Sequence, residues 1–284
     1  MVRVTMGLRQ RYQQAIYRRA VQLQDEDLQR PTIIFSPHQD DETLGCGGTI
    51  IRKTRLGADV TVVFMTDGRH SHSQLMPAPA LKQIRAQEAL AAGHLLGVKP
   101  QRVLFLEFED GTLRYHQQAA TRTVHEVLLR YQPADVFLPY AQETPPDHAV
   151  TNTIVRAALR QYRRAIMAYE YPIWGWHHWP WIPFPAPRQW RQLLTVGYES
   201  LVYACGLRLL RDLRWAVYIG DLLDQKRVSL AQYRSQMTRL LPDPRWPTLP
   251  DVARGEFLAR FFQEYEVFRC YRCCGEKEPL TNVA

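Results

Sequence analysis

Short apolar runs alternate with longer amphipathic stretches through the first half of the chain. The runs are rich in β-branched residues and end at polar turns, a pattern typical of buried strands; they cover 31–35, 58–65, 102–106 and 135–139. Between them, apolar residues recur at helical spacing; these stretches cover 81–96, 121–131 and 150–162. Strands that alternate with helices predict an α/β fold, a mostly parallel sheet with helices on both faces.

The second half loses this regular alternation. Residues 193–213 are apolar with interspersed arginines and predict a helix, and 215–219 predict a strand. Residues 222–241 and 255–271 predict two further helices. We expect these elements to form a C-terminal strand and helix extension of the sheet.

An aromatic and proline-rich segment lies between the two halves. We expect a flap or insertion at 168–213, because Trp174, Trp176, Trp179, Trp181 and Trp190 all fall within it. Three interpretations are open. The rings stack on a sugar, they lie at a membrane interface, or they fill space in an irregular packed flap.

Length and composition suggest one large domain. The chain has 284 residues, of which 46% are hydrophobic, and we place the domain at 31–284 after an amphipathic helix within 1–30. No apolar run approaches the ~18–20 residues of a membrane span, and the first residues lack the apolar centre of a secretory signal. There is no glycine-rich nucleotide-binding motif, so no nucleotide cofactor is predicted.

The net charge and the cysteine content limit the partners and the compartment that we expect for this protein. The net charge of +8 favours anionic partners such as phosphorylated sugars or lipids. Nucleic acid is not expected, since no binding motif is present. Of five cysteines, Cys270, Cys273 and Cys274 form a cluster without a nearby fourth zinc ligand. We therefore expect a reduced, cytoplasmic protein, with peripheral contact to a membrane as an alternative.

Candidate chemistry lies where the first predicted strand ends. His38, Asp40 and Asp41 directly follow the run at 31–35, and ligands of open α/β sheets bind at this edge. Imidazole and carboxylate are the ligands of catalytic zinc. The spacing lets two of the three residues bind a divalent ion while the third acts as a general base. The alternative is a polar turn that caps the next helix.

A second polar cluster follows the strand predicted at 135–139. Asp147 and His148 open the next predicted helix, which places His148 on the same sheet edge as His38. A catalytic metal needs a third protein ligand, and His148 is the candidate. Asp147 is a candidate to orient an imidazole through a hydrogen bond.

These stretches resemble the PIG-L, or LmbE-like, family of zinc-dependent N-acetylglucosaminyl deacetylases. Residues 37–48 are similar to its His-Pro-Asp-Asp-Glu motif, with Gln39 in place of the proline. Asp147 and His148 match the end of its His-x-Asp-His motif, with Pro145 where the first histidine usually stands. Weaker similarities place Arg85 in the family's Arg-x-x-Glu helix and Asp110 in its acidic substrate loop, and residues 226–236 resemble a Lys-Arg…His-Arg-Ser-Gln pattern.

The resemblance implies a Rossmann-like, LmbE-like fold and a metal-dependent hydrolase. It would remove the N-acetyl group of a GlcNAc-type sugar or glycoconjugate. Zn²⁺ or another divalent metal would be held by His38, Asp41 and His148, and would activate the water that attacks the amide. Asp40 would be the general base. Arg85 and Asp110 would contact the sugar.

The resemblance leaves several points open. Pro145 removes a histidine that polarises the substrate carbonyl in the family; candidates to replace it are Tyr140, Glu143, Thr144, His70, His72 and Tyr233. The sugar could be free, nucleotide-linked or lipid-linked. Competing hypotheses are a metal-dependent phosphoesterase and a non-catalytic, membrane-associated scaffold. The sequence does not decide the sugar acceptor, the metal used in cells or the oligomeric state.

Overall fold

The computed structural model describes residues 2–185, 189–273 and 281–282. Nine strands within these ranges form one sheet. In chain order they are β1 (Val21–Gln22), β2 (Thr32–Ser36), β3 (Val60–Thr66), β4 (Val103–Phe108), β5 (Asp135–Pro139), β6 (Ile166–Tyr171), β7 (Trp215–Tyr218), β8 (Tyr265–Cys273) and β9 (Thr281–Asn282). Cys274 of the predicted cysteine cluster lies outside the described residues.

The centre of the sheet is parallel, from β2 to β6. The strand order is β1-β7-β8-β6-β5-β2-β3-β4, and β9 pairs with β8. Strand β2 pairs in parallel with β3 and β5, while β4 and β6 extend the parallel pairing on the two sides. Strand β8 is antiparallel to both β6 and β7. The predicted α/β class with a mostly parallel sheet is confirmed.

Helices cover both faces of the sheet. In chain order they are α1 (Val2–Arg19), α2 (Asp25–Leu28), α3 (Asp41–Arg55), α4 (Ala78–Leu95), α5 (Gln117–Tyr131), α6 (Pro146–Tyr162), α7 (Trp190–Val202), α8 (Leu207–Asp212), α9 (Leu223–Leu230) and α10 (Arg234–Met237). In β2, Ile33 and Phe35 pack in the core that α5 and α6 share, whereas Ile34 packs in the core beneath α3 and α4. Alternate strand residues face opposite sides, so both faces of β2 are buried and its sequence is a continuous apolar run.

The prediction of a helix at 255–271 is wrong. Its first part contains short 3₁₀ turns, and Tyr265–Cys273 is strand β8. The reason is tertiary pairing. Aromatic and β-branched residues of β8 lie between β6 and β7 and complete the hydrogen bonding of both strands.

The predicted flap at 168–213 begins too early. Residues 166–171 form β6, which lies between β5 and β8, and Tyr169 and Tyr171 are buried there. The helix predicted at 193–213 is two helices, α7 and α8, because Ala204, Cys205 and Gly206 have positive φ and break it. The helix predicted at 222–241 is likewise divided into α9 and α10.

The leading helix is shorter than the predicted segment 1–30. Helix α1 ends at Arg19, and β1 and α2 follow it before β2 begins. Ile16 is buried in the core shared with α3 and α9, so α1 packs on the domain.

Candidate metal centre

A tight turn between β2 and α3 presents the first set of polar side chains. Asp40, at the start of α3, has a φ of 131°, and its carbonyl oxygen accepts the N–H groups of Thr43 and Leu44. The Ser36 hydroxyl donates to the carbonyl oxygen of His38 at 2.6 Å. A positive φ at a residue with a side chain is strained and persists only where the surroundings impose it. The turn points His38, Asp40 and Asp41 into one space.

Helix α3 lies unusually close to the neighbouring strands. A Cβ atom at Gly45 would overlap the ring of Tyr171, and one at Gly48 would overlap the side chain of Ile219. Only glycine at these positions allows this approach. The Gly-x-x-Gly spacing after Asp41 is thus a packing requirement that fixes the start of α3.

A buried ion pair between Lys226 and Glu266 also anchors helix α3. The Glu266 carboxylate accepts the backbone N–H groups of Gly48 and Thr49, at 2.8 and 2.7 Å. Lys226 Nζ donates to Glu266 Oε1 at 2.7 Å and to the carbonyl oxygen of Leu44 at 2.8 Å. Both charged side chains are almost fully buried. Residues of α9 and β8 therefore position the helix that begins with Asp41.

His38, Asp41 and His148 converge on one point. Asp41 Oδ2 lies 3.3 Å from His38 Nδ1 and 3.3 Å from His148 Nε2. One ligand atom from each residue lies within 4.8 Å of the others, which is the separation expected of atoms that share an ion. Strands β2 and β5 are neighbours, so the loops that follow them meet at one edge of the sheet, as the sequence predicts.

A second carboxylate group faces the other nitrogen of His38. His38 Nε2 lies 3.3 Å from Asp110 Oδ1 and 3.5 Å from Asp147 Oδ2. Burial lowers the pKa of His38, but the carboxylates of Asp110, Asp147 and Asp41 outweigh this and raise it well above its ordinary value. The prediction that Asp147 orients an imidazole thus applies to His38.

The carboxylate of Glu143 faces the ring nitrogen of His148 that points away from Asp41. Its Oε2 atom lies 3.3 Å from His148 Nδ1. The carboxylate also accepts backbone N–H groups of Ile173, Trp174 and Gly175, at 3.0, 2.7 and 3.0 Å. A carboxylate behind a ligand histidine orients its ring. Glu143 couples His148 to the turn at 173–175.

Asp40 lies beside the three converging residues without joining them. Its Oδ2 atom accepts a hydrogen bond from Gln236 Nε2, which comes from α10. Burial, with the charge of Asp41, raises the pKa of Asp40 well above that of an ordinary aspartate, and Arg85 offsets part of this effect. A carboxylate with a raised pKa is a stronger base.

These side chains line a cavity of about 410 Å³. One part of its wall is polar and the other is apolar. The polar part is made by His38, Asp40, Asp41, His70, Ser71, Arg85, Asp110, His148 and Gln236. The apolar part is made by Leu44, Pro145, Ile173, Trp174, Leu249 and Phe257. The rings of Trp174 and Phe257 stack with centroids 4.9 Å apart.

Arg85 has hydrogen-bonding capacity left over. Its side chain is buried at the cavity wall and donates to the Ser71 hydroxyl at 2.8 Å. Among the described residues, its Nε atom has no hydrogen-bond partner. An unpaired buried donor is costly, so a ligand oxygen in the cavity would be bound favourably. The role of Arg85 in binding the sugar stays a prediction.

Of the six candidates to replace the histidine missing at Pro145, His70 alone lines the cavity. The others are held elsewhere. Glu143 accepts hydrogen bonds from the 173–175 turn. The hydroxyl groups of Thr144, Tyr140 and Tyr233 donate to the carboxylates of Glu199, Asp212 and Glu42, respectively. The ring of His72 stacks on Trp246. His70 Nε2 lies 2.8 Å from Glu109 Oε1.

The residue set fits a divalent ion. His38, Asp41 and His148 supply nitrogen and oxygen ligands of the kind that zinc accepts. Asp40, Asp110 and Asp147 add three further carboxylates nearby, whereas Arg85 is the one arginine or lysine of the described cavity wall. A buried cluster with more carboxylates than cations is stabilised by a bound cation.

A family comparison agrees with this geometry. Residues 33–159 match the model of the PIG-L family, which is described as GlcNAc-PI de-N-acetylase. These residues are thus similar to a PIG-L domain. The matched range runs from β2 to α6, so it includes the three converging residues and Asp40, and it ends before the segment with Trp174 and Gln236.

Curated relatives are similar to part of the chain. Diacetylchitobiose deacetylase of Thermococcus kodakarensis is 31% identical over 125 residues, which is 42% of this chain and 45% of the relative. A probable N-acetyl-alpha-D-glucosaminyl L-malate deacetylase 2 of Bacillus anthracis is 29% identical over 137 residues, or 46% and 60% of the two chains. The chain thus spans about half the length of the curated relatives it matches.

A solved structure extends the likeness beyond the matched family range. The N,N'-diacetylchitobiose deacetylase of Pyrococcus horikoshii superposes with a TM-score of 0.60 at 22% identity, over 85% of this chain and 83% of the other. At this identity the likeness establishes the fold. It covers more of the chain than the matched family range does.

Two functional residues were missed by sequence reasoning. Gln236 was part of a noted pattern but had no assigned role, although it donates to Asp40. Trp174 was placed in a general aromatic flap, although it forms the cavity wall. The late Arg-Ser-Gln pattern at 234–236 was the available signal for Gln236. Nothing local distinguishes Trp174 from the tryptophans around it.

Proposed function

We propose that this protein is a metal-dependent deacetylase that hydrolyses the N-acetyl group of a GlcNAc-type sugar or glycoconjugate. One observation carries the proposal: His38, Asp41 and His148 converge at the edge of the sheet, and Asp40 lies unligated beside them. The match to the PIG-L family model and the activities for which the curated relatives are named support the same reaction.

The residues suit amide hydrolysis in a specific way. A divalent ion held by His38, Asp41 and His148, with zinc as the first candidate, would polarise a carbonyl oxygen and acidify water. The Asp40 carboxylate would take a proton from the attacking water and return it to the leaving nitrogen. Gln236, which donates to one oxygen of Asp40, leaves the other oxygen available for this transfer.

The cavity wall suits a sugar ring, which has polar hydroxyl groups and an apolar face. Arg85 and Asp110 offer a donor and an acceptor to hydroxyl groups, and Trp174 and Phe257 offer flat apolar surface. Aromatic faces pack against the apolar face of a sugar ring, while charged groups bind its hydroxyls. The substrates named for the curated relatives, diacetylchitobiose and N-acetylglucosaminyl malate, belong to this chemical class.

The phosphoesterase alternative has less support. Two-metal phosphoesterases hold their ions ~3.5–4 Å apart. Here the two groups that could hold an ion are His38–Asp41–His148 and His38–Asp110–Asp147, and they share His38 through its opposite nitrogens. This arrangement favours one ion over a close pair.

Acetate release from N,N'-diacetylchitobiose and other GlcNAc conjugates, with and without a chelator, tests the proposal. We expect chelation to abolish release and Asp40→Asn to lower kcat by ~10²–10⁴-fold, with unchanged metal content. Asp59→Asn, at an exposed aspartate distant in the chain, is the matched control. Full activity of Asp40→Asn with metal bound would refute the base assignment. Bound metal with phosphate release and no acetate would favour the phosphoesterase, and no metal would favour the scaffold.

His70 takes the position of carbonyl-polarising residue in this proposal. It is the candidate that lines the cavity, and Glu109 supports its imidazole. We expect His70→Ala to lower kcat by roughly 10–10²-fold, as for loss of an oxyanion donor, with little change in KM. The matched control is His94→Ala at an exposed position of α4. An unchanged kcat for His70→Ala would exclude this role.

A further inference from the structure

Helix α7 carries four large apolar side chains on its solvent side. Trp190, Leu194, Tyr198 and Leu201 are 58%, 64%, 65% and 79% exposed. Their spacing places them within a sector of about 80° on a helix that turns ~100° per residue. We refer to these four residues as the α7 stripe.

The opposite side of α7 is fixed to the domain. Val196 is buried in the main core. Glu199 accepts the Thr144 hydroxyl at 3.2 Å, and its other oxygen lies 2.8 Å from His177 Nδ1. These contacts orient the helix so that the α7 stripe faces outward.

The apolar residues of this segment are divided between core and surface. No single helix among the described residues has the length and apolar character to cross a bilayer, although α7 and Ala204–Asp212 meet that criterion together across a 56° bend. After the bend, Leu209 and Leu213 are buried in the main core. A helix with one apolar side exposed and the other side anchored suits the surface of a bilayer.

The exposed charged residues in the same stretch of chain, 189–214, are all positive. In residues 189–214 the two acidic side chains, Glu199 and Asp212, are only 7% and 10% exposed. The exposed basic residues in this range are Arg191, Arg211 and Arg214. The Arg191 guanidinium lies 5.3 Å from the ring of Trp190. Exposed Trp and Tyr with flanking arginines match the headgroup region of an anionic bilayer.

A second copy of the chain would match these features less well. A two-fold interface faces the same patch to itself, so the arginines of the two copies would be brought together. Helix α1, which contacts α8, contains basic residues and no acidic residue. It therefore adds positive charge to this side of the molecule.

We propose that the α7 stripe docks this protein on an anionic lipid surface. Trp190 and Tyr198 would lie at the headgroups, and Leu194 and Leu201 would enter the outer acyl region. Glu199 connects the buried side of α7 to His177, three residues after Trp174, so docking would place the apolar wall of the cavity near the lipid. The docking does not depend on the proposed reaction.

Co-sedimentation of the full chain with phosphatidylcholine vesicles, with or without phosphatidylglycerol, tests the proposal. We expect binding to the anionic vesicles, weakened by high salt. The double variant Leu194→Glu/Leu201→Glu should bind at least about tenfold more weakly, because two apolar anchors are lost and negative charge is added. Leu129→Glu, at a 49% exposed leucine of α5, is the matched control and should bind like the wild type.

Tryptophan fluorescence gives a second measurement that needs no destabilising variant. The emission difference between the wild type and Trp190→Phe should shift to the blue on anionic vesicles, since Trp190 leaves water. Wild-type protein that stays in the supernatant with both vesicles overturns the proposal, as does equal binding of the double variant at matched thermal stability. A dimer that the double variant dissociates, with no vesicle binding, overturns it in favour of a second copy.

Discussion

The two halves of the sheet are organised differently, although strand pairing is long-range in both: Thr32 of β2 pairs with Asp135 of β5, 103 positions later. From β2 to α6, each strand is followed by a helix that packs on the same sheet, and the chain supplies both partners within a few dozen residues. From β6 to β8, pairing joins segments about a hundred positions apart, such as Ile166 with Cys273. The first half provides the candidate ligands, and the second half holds them in place through Glu266 and Tyr171. The candidate ligands and the groups that anchor helix α3 are thus encoded in separate regions.

The largest expected effect comes from the second half of the chain. Glu266→Gln removes a charge from a buried pair and leaves Lys226 uncompensated, which costs about 3–5 kcal/mol in the free energy of unfolding. Chemical denaturation measures this loss. The exposed Glu264→Gln two residues away is the matched control and should change stability little. A stable Glu266→Gln protein would show that α3 does not depend on β8.

A smaller effect is expected where the two halves meet at Glu143. Glu143→Gln weakens the support behind His148, and the metal affinity should fall by about 10–100-fold. Titration with a competing zinc chelator measures it. Glu126→Gln on the exposed side of α5 should leave the affinity unchanged. Equal affinities for Glu143→Gln and the wild type would contradict the role assigned to Glu143.

The smallest expected effect concerns stability at low pH. His178 is fully buried and stacks on Tyr203, with centroids 4.5 Å apart, and burial lowers its pKa from 6.5 to about 3. Below pH 6.5 the unfolded chain binds a proton that the folded chain does not, so the free energy of unfolding falls as pH drops towards 3.

A His178→Phe variant keeps the aromatic stack without the titrating group. Relative to the wild type, it should gain about 2 kcal/mol on going from pH 7 to pH 5, since each pH unit below 6.5 is worth ~1.4 kcal/mol. Denaturation at the two pH values measures this difference. The exposed His94→Phe is the control. A pH dependence identical to that of the wild type would mean that His178 is protonated in the folded state.

The parallel half could be predicted because its signals are local. Strand β2 is buried on both faces and appears as an uninterrupted apolar run, and its end carries His38 and Asp41. Strand β5 is its neighbour, so the strand-edge rule also predicts that His148 lies close to His38. The roles of these side chains follow from ligand chemistry, and they remain predictions until a metal is measured.

Strand β8 and the positions of Glu143 and Gln236 depend on contacts between distant parts of the chain, which a local sequence pattern does not reveal. Residues 265–273 can form a helix or a strand by composition, and pairing with β6 and β7 decides for the strand. Glu143 appeared as one of several possible replacements for a histidine. Its position behind His148 follows from a turn at 173–175 that sequence reasoning did not predict. Gln236 likewise reaches Asp40 only after the chain has returned across 196 positions.

The carboxylate that secures α3 has a consequence for biosynthesis. Glu266 lies 218 positions after Gly48, so a ribosome makes the candidate ligand helix long before its anchor. During that interval Lys226, once made, has no Glu266 to neutralise it. The nascent chain therefore acquires this anchor only after Glu266 has been made, and a product truncated before β8 would lack it even though it contains every candidate ligand.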